Sequence, residues 1–156
     1  MKRYQTKSIM KGVFAMLVRS CAGGVVFFGD RVFLLKNEKG EWVLPKGVVR
    51  NGDLSNEVAL KRVKEEAGIS AEIVSTAGQT NYEFFSVTRQ RPVCNKITWY
   101  VMISPDESYK IGEKEKFSDG GFFHISEAID RATYSQDKSL LNLSYQLLKK
   151  MELKAV

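Results

Sequence analysis

Glu65 and Glu66 stand side by side in a stretch with helical periodicity, and Arg62 precedes them by one turn. A helix with acids at i, i+3 and i+4 presents them on one face, where they can hold a hard divalent cation that keeps several waters. Here the first of those positions is Arg62, so the face carries two acids and a guanidinium. At a separation of about 4 Å and an effective dielectric of about 20, each like-charge unit costs roughly 4 kcal/mol before relaxation, which sets Arg62 against a divalent ion. Two arrangements follow. In one, Arg62 turns outward to a phosphate, which a guanidinium binds bidentately. In the other it pairs with Glu66 at i+4 and Glu65 at i+3, and Glu57 pairs with Lys61. That second arrangement is a self-neutralised strip worth roughly 0.3–0.5 kcal/mol per pair.

The segment from Trp42-Val43-Leu44-Pro45-Lys46-Gly47 to Lys61-Arg62-Val63-Lys64-Glu65-Glu66-Ala67-Gly68-Ile69 resembles the Nudix box, G-x5-E-x7-R-E-U-x-E-E-x-G-U, where U is a bulky aliphatic. Aligned without a gap, Gly47, Val63, Glu65, Glu66, Gly68 and Ile69 fall on matching positions. Asp53 stands where the pattern has Glu, Lys61 where it has Arg, and Arg62 where it has Glu. The resemblance implies an α/β (α+β) fold, an α/β/α sandwich around a mixed central sheet. It implies Mg²⁺, with Mn²⁺ as the other option, held by Glu65, Glu66 and the Gly47 carbonyl. Glycine at 47 would let the backbone come close to the ion or to a phosphate. Asp53 and Lys61 would brace the loop against the helix, and Glu57 matches a Glu common in the E-x-A-A-x-R-E version of the box.

Leu44-Pro45-Lys46-Gly47 is similar to the loop of the diadenosine polyphosphate and diphosphoinositol polyphosphate hydrolases. Lys46 would then contact phosphate, and Tyr82 would either stack on a nucleobase or pack on its neighbours in a strand. Arg50 stands where the L-P-K-G-x-x-E-x-G-E version has Glu, and joins Lys46 and Arg62 as a substrate contact. Arg89 and Arg91 would meet distal phosphates or form a solvated hairpin end. The family also places a late acid near this site. Glu113 and Glu115 are the candidates, and Glu115 is taken as the general base or additional ligand. The catalytic set is thus Glu57, Glu65, Glu66 and Glu115.

Three readings follow from this set. The first is a hydrolase that cleaves a pyrophosphate linkage in a nucleoside diphosphate derivative, slowed because Arg62 replaces a box Glu. The second is a catalytically inactive Nudix-fold module that binds a nucleotide or a protein. The third processes RNA ends, and it rests on Lys2, Arg3, Lys7, Lys11 and Arg19, which precede Asp30, the first acid. Such a basic arm can meet RNA, anionic lipid or a polyphosphate, or be a solvated terminus. Net charge over the chain is +6.

The elements that must position these residues are legible in outline. Gly23–Phe28 and Arg31–Leu35 are β-rich runs joined by Gly29-Asp30, a hairpin signal. Val58, Ala59, Val63 and Ala67 recur at helical spacing over 56–67, with Ser55 as N-cap and Gly68 as the stop. Residues 71–75, 80–88, 96–103 and 121–125 are expected to form separate strands, and Ser126 to cap a segment over 127–132. Leu140, Leu141, Leu143, Leu147 and Leu148 form the stripe of a closing amphipathic helix. The sole histidine, His124, is read as structural.

A chain of 156 residues that is 44% hydrophobic has the means to bury one core. The expected organisation is a basic arm or first strand over 1–19, a single domain over 20–150 and a tail over 151–156. The run Gly12–Val18 imitates a signal peptide, but Arg19 interrupts it and no apolar run suffices to span a bilayer. Cys21 and Cys94 are the two cysteines, far apart and without metal-ligand spacing, which suits a reducing cytoplasm; a disulfide between them stays open.

Overall fold

The computed structural model describes residues 15–155, so Lys2, Arg3, Lys7 and Lys11 of the basic arm lie outside the described residues. Strands β1 (Leu17–Phe28), β2 (Arg31–Asn37), β3 (Trp42–Val43) and β4 (Lys46–Val48) precede helix α1 (Ser55–Ala67). Strands β5 (Glu72–Ser86), β6 (Arg91–Ile103) and β7 (Phe117–His124) follow, then helices α2 (Ile125–Arg131) and α3 (Ser135–Ala155). All seven strands join one mixed sheet. Its centre is β1 running parallel to β6, from Leu17 beside Val93 to Phe27 beside Ile103. The expected hairpin is present, with Phe27 opposite Val32 and Gly29 in the left-handed region at φ 59°.

Side chains alternate across this sheet, as the period of a strand requires. Val25, Phe27, Leu34 and Trp99 point to one face, where Ile125 and Ala128 of α2 and Leu140, Leu141 and Leu148 of α3 cover them. Val26, Phe33, Leu35 and Met102 point to the other, against Ala59, Val63 and Ala67 of α1. The sheet therefore lies between helices on both faces, as the sequence led us to expect. Each large side chain buried there contributes roughly 1.5–3 kcal/mol. No helix among the described residues is long and apolar enough to cross a membrane.

Several local expectations need correction. Residues 71–75 and 80–88 are not two strands; they form the single strand β5, with register shifts between Ile73 and Ser75 and between Thr76 and Gly78. The bulges take up the extra residues at what reads in sequence as a break. The N-cap of α1 is Leu54, whose side chain has no polar atom to cap with, and the Ser55 hydroxyl lies 2.5 Å from the Tyr100 hydroxyl instead. The cap of α2 is His124, whose Nδ1 accepts the Ser126 N–H, so the capping role falls two residues earlier than expected. Leu143 is 45% exposed and leaves the apolar stripe of α3. Gly68 ends α1 as anticipated, at φ 68° with its N–H on the Lys64 carbonyl. Cys21 and Cys94 are both buried, free thiols.

The loop that carries Lys46 lies across β1 because Gly23 has no side chain. Antiparallel pairing sets Gly23 opposite Lys46 and Ala22 opposite Gly47, and the Gly24 N–H reaches the Pro45 carbonyl at 3.1 Å. A Cβ on Gly23 would lie 2.5 Å from both the Pro45 carbonyl oxygen and the Trp99 ring. Gly23→Ala is expected to destabilise the fold by about 1–3 kcal/mol through overpacking and to shift the loop. Urea denaturation of both proteins measures this, and an unchanged midpoint would show that the loop yields freely.

Candidate active site

Helix α1 and the loop before it meet at Arg62 and Gly47. A Cβ on Gly47 would collide with Cγ and Cδ of Arg62, so the glycine makes room for the arginine stem. This is a reason for glycine at 47 besides the close backbone approach expected of it. The guanidinium then sits among three carboxylates. Its Nη1 donates to Glu65 at 2.9 Å, and its Nη2 donates to Glu66 and, at 3.2 Å, to Glu113. Its Nε donates to the Lys46 carbonyl at 3.3 Å, tying the helix to the loop. Arg62 thus turns inward and pairs with Glu65 and Glu66, while the Glu57–Lys61 pair expected beside it does not form.

Glu66 is the buried member, with its side chain 4% exposed, while Glu65 is 40% exposed. Burial pushes the Glu66 carboxyl above the usual carboxylate range, and the charge and hydrogen bond of Arg62 oppose that shift. Burial likewise works against charge on Arg62, but Glu66, Glu113 and Glu65 outweigh it and hold the guanidinium pKa raised. Glu113 is held below its ordinary range by a hydrogen bond from Lys116, with Arg62 adding to it against partial burial.

Glu113 rather than Glu115 is the one of the two late acids that reaches Arg62. The loop that carries it docks on the C-terminal turn of α1, where backbone carbonyls lack helical partners. The Lys110 N–H reaches the Ala67 carbonyl at 2.8 Å, and the Gly112 N–H reaches the Glu66 carbonyl at 3.0 Å. A Cβ on Gly112 would collide with the Glu65 carbonyl oxygen, so only glycine allows this approach. Glu113 follows in the left-handed region at φ 45°, a conformation costing a non-glycine residue roughly 1–2 kcal/mol. Glu115 is exposed and joins no ion pair among the described residues. The signal for Glu113 was Gly112 beside it, which sequence reading did not weigh.

A cleft of about 700 Å³ opens over this cluster. Arg19, Lys46, Arg50, Lys61, Arg62 and Lys116 bring six cationic groups to its wall, against Asp53, Glu57, Glu65 and Glu66. Arg19, grouped in sequence with the basic arm, instead donates to Asn95 at 2.9 Å and belongs to the cleft. The expected Asp53–Lys61 brace does not form. Asp53 accepts the Arg50 N–H at 3.1 Å and closes its own turn, a contact that a shorter acid reaches easily. Glu57 lines the cleft and joins no ion pair among the described residues.

A second cavity of about 400 Å³ adjoins the first, and Lys46 and Asn95 line both. Tyr82 stands in its wall, edge-on to Tyr134 with ring centroids 5.2 Å apart. The Tyr134 hydroxyl donates to Glu41 at 2.7 Å, and burial raises its pKa. Asp137, at the start of α3, is also raised by burial, with Lys46 opposing. Arg89 and Arg91 line neither cavity; Arg91 donates to the Ala15 carbonyl at 2.9 and 3.1 Å, at the hairpin end.

The donor set bears on the metal that the sequence implies. Three carboxylates meet on one cation, and that cation is the Arg62 guanidinium. No group of three or more acid, His or Cys side chains among the described residues is set to hold a metal ion. With Arg62 in place these residues do not fit Mg²⁺ or Mn²⁺.

Removing Arg62 leaves Glu66 buried without a partner. Arg62→Gln is expected to cost about 3 kcal/mol near a pH of about 8. An acid whose folded pKa lies above its unfolded value favours the fold at low pH and loses that contribution as pH rises. Glu66 is already shifted upward, and losing Arg62 widens that window, so the cost should shrink toward a pH of about 5. Denaturant unfolding at the two pH values tests this, and a pH-independent cost would contradict it.

A NUDIX domain model matches residues 12–143. A Mycobacterium tuberculosis protein that bears the name mutator protein MutT4 is 27% identical over 116 residues, 71% of this chain and 44% of its own length. An Erythrobacter litoralis RNA pyrophosphohydrolase is 30% identical over 71 residues, 41% of this chain and 42% of its own length. The chain thus spans under half the length of these two curated relatives. A binary complex of C. elegans Ap4A hydrolase superposes with a TM-score of 0.64 at 22% identity, covering 85% of this chain and 98% of that one. E. coli dihydroneopterin triphosphate pyrophosphohydrolase gives 0.66 at 18% identity, covering 80% and 94%. These two structures share the fold, with helices on both faces of a mixed sheet. The domain match takes in β1, the Lys46 loop, all of α1 and the start of α3, and it makes this chain a member of the Nudix family.

Proposed function

We propose that the chain hydrolyses a pyrophosphate linkage in a nucleoside diphosphate derivative. One observation carries the reading: Lys46 lies in the walls of both the polar cleft and the aromatic cavity. Phosphates on Lys46 would extend one way over Arg50 and Lys61. The nucleoside would extend the other way, its base against Tyr82. The C. elegans Ap4A hydrolase is named for a substrate of this chemical kind, and the E. coli dihydroneopterin triphosphate pyrophosphohydrolase for another polyphosphate ester.

In the reaction a water oxygen attacks phosphorus, the bridging P–O bond breaks, and the water proton passes to a carboxylate. Of the two cleft carboxylates that join no ion pair among the described residues, Asp53 accepts the Arg50 backbone N–H, and Glu57 is left to take that proton. Lys46, Arg50 and Lys61 offset the charge gathering on the phosphoryl oxygens. Divalent metal is the cofactor that family membership implies. In this chain Glu65 and Glu66 hold Arg62 instead, and turnover is correspondingly slow. The buried free thiols of Cys21 and Cys94 support a cytoplasmic setting. The filled carboxylate cluster favours a second reading, a module that binds its nucleotide without cleaving it.

A pyrophosphatase assay separates the two. Dinucleoside polyphosphates, nucleotide sugars, nucleoside triphosphates and a 5′-triphosphorylated RNA are each tested in Mg²⁺, in Mn²⁺ and in EDTA. Turnover of at least one nucleotide substrate is expected. Glu57→Gln should lower kcat by about 10²–10⁴. Tyr82→Ala should raise KM by about tenfold for substrates bearing a nucleoside and leave inorganic pyrophosphate unaffected. Nucleotide binding without cleavage across the panel would leave the binding module standing instead.

A further inference from the structure

We propose that the Arg62 guanidinium is the resident cation of this cleft, standing in place of a divalent ion, and that the cleft takes pyrophosphate without metal. The proposal rests on the reading of the cleft as a polyphosphate site. It starts from the number of groups committed to one side chain. Nη1, Nη2 and Nε of Arg62 reach Glu65, Glu66, Glu113 and the Lys46 carbonyl. Glycine at 47 clears the path for its stem, and glycine at 112 brings Glu113 within reach. The loop before α1 and the loop after β6 are therefore both shaped around this arginine.

A divalent ion would need the carboxylate oxygens that Arg62 holds. Moving the arginine aside would break contacts with Glu65, Glu66 and Glu113 at once. Leaving it in place would set a divalent charge against a guanidinium at short range. Both routes penalise the metal. A pyrophosphate needs neither route, because Lys46, Arg50, Lys61 and Lys116 already present donors and positive charge to the cleft. Lys116 also pairs with Glu113 at 3.0 Å, which offsets part of the acid charge facing an incoming anion.

The test follows Mn²⁺ binding by the loss of its free-ion paramagnetic resonance signal, for wild type and Arg62→Gln. Arg62→Gln should bind Mn²⁺ at least about tenfold more tightly than wild type, and Mn²⁺ should raise its melting temperature but not that of wild type. Equal affinity in the two proteins would overturn the proposal. Wild type supplies an arm that needs no variant: calorimetric titration with inorganic pyrophosphate in EDTA and again in excess Mg²⁺. Affinities that agree within about threefold support the proposal, and binding seen only with Mg²⁺ overturns it. Failure to bind pyrophosphate in either buffer would sink the polyphosphate reading itself, and the Mn²⁺ comparison would still decide what Arg62 does.

Discussion

Glu66 is buried on the inner edge of α1, and a buried carboxylate needs a cation and hydrogen-bond donors within reach. Arg62, one turn earlier, supplies both, and the same guanidinium also gathers Glu65 and Glu113. Three acids that would repel one another are held together by a single planar fork. Arg suits this better than Lys, since its five N–H donors are fixed in a geometry that carboxylates match. The Lys46 loop, helix α1 and the Glu113 loop all converge here. The charge balance of the cleft is set by this one side chain.

The sheet makes the convergence possible. β1 lies parallel to β6 and antiparallel to both β2 and β4, so the strand that anchors the core also receives the loop. Val63 and Ala67 bury one side of α1 against the sheet, and the opposite side of the helix presents Glu57, Lys61 and Glu65 to the cleft. A rigid helix seated on a rigid sheet can hold polar groups at fixed spacing. The aromatic cavity is built differently, from the half-buried face of β5, its neighbour β6 and the start of α3, and Lys46 is the link between the two.

Much of this was legible in the residues alone, where local rules decide the outcome. The Gly29-Asp30 hairpin, the span of α1, its stop at Gly68 and the pairing of Arg62 with Glu65 and Glu66 all depend on near neighbours in sequence. The misreadings arose where distant contacts prevail. Ser55 left its capping role for Tyr100, far along the chain on β6. Asp53 closed a local turn instead of spanning to Lys61. Glu113 rather than Glu115 met Arg62, because a docked loop and a left-handed backbone set its direction. Gly47 fits the family pattern in identity, yet its neighbour is an arginine stem, which nothing in a motif reveals.

Membership of the Nudix family and the geometry of this cleft meet at Arg62, where the family pattern has an acid. The fold, the loop and the flanking acids are kept, while the cation at their centre belongs to the chain itself. Nitrogen-detected NMR of the arginine guanidinium groups observes that cation most directly. Arg62, anchored on three carboxylates, should show two resolved Nη signals from hindered rotation about its Cζ–Nε bond, as solvated arginines do not. A single averaged Nη signal for Arg62 in the wild-type protein would contradict it.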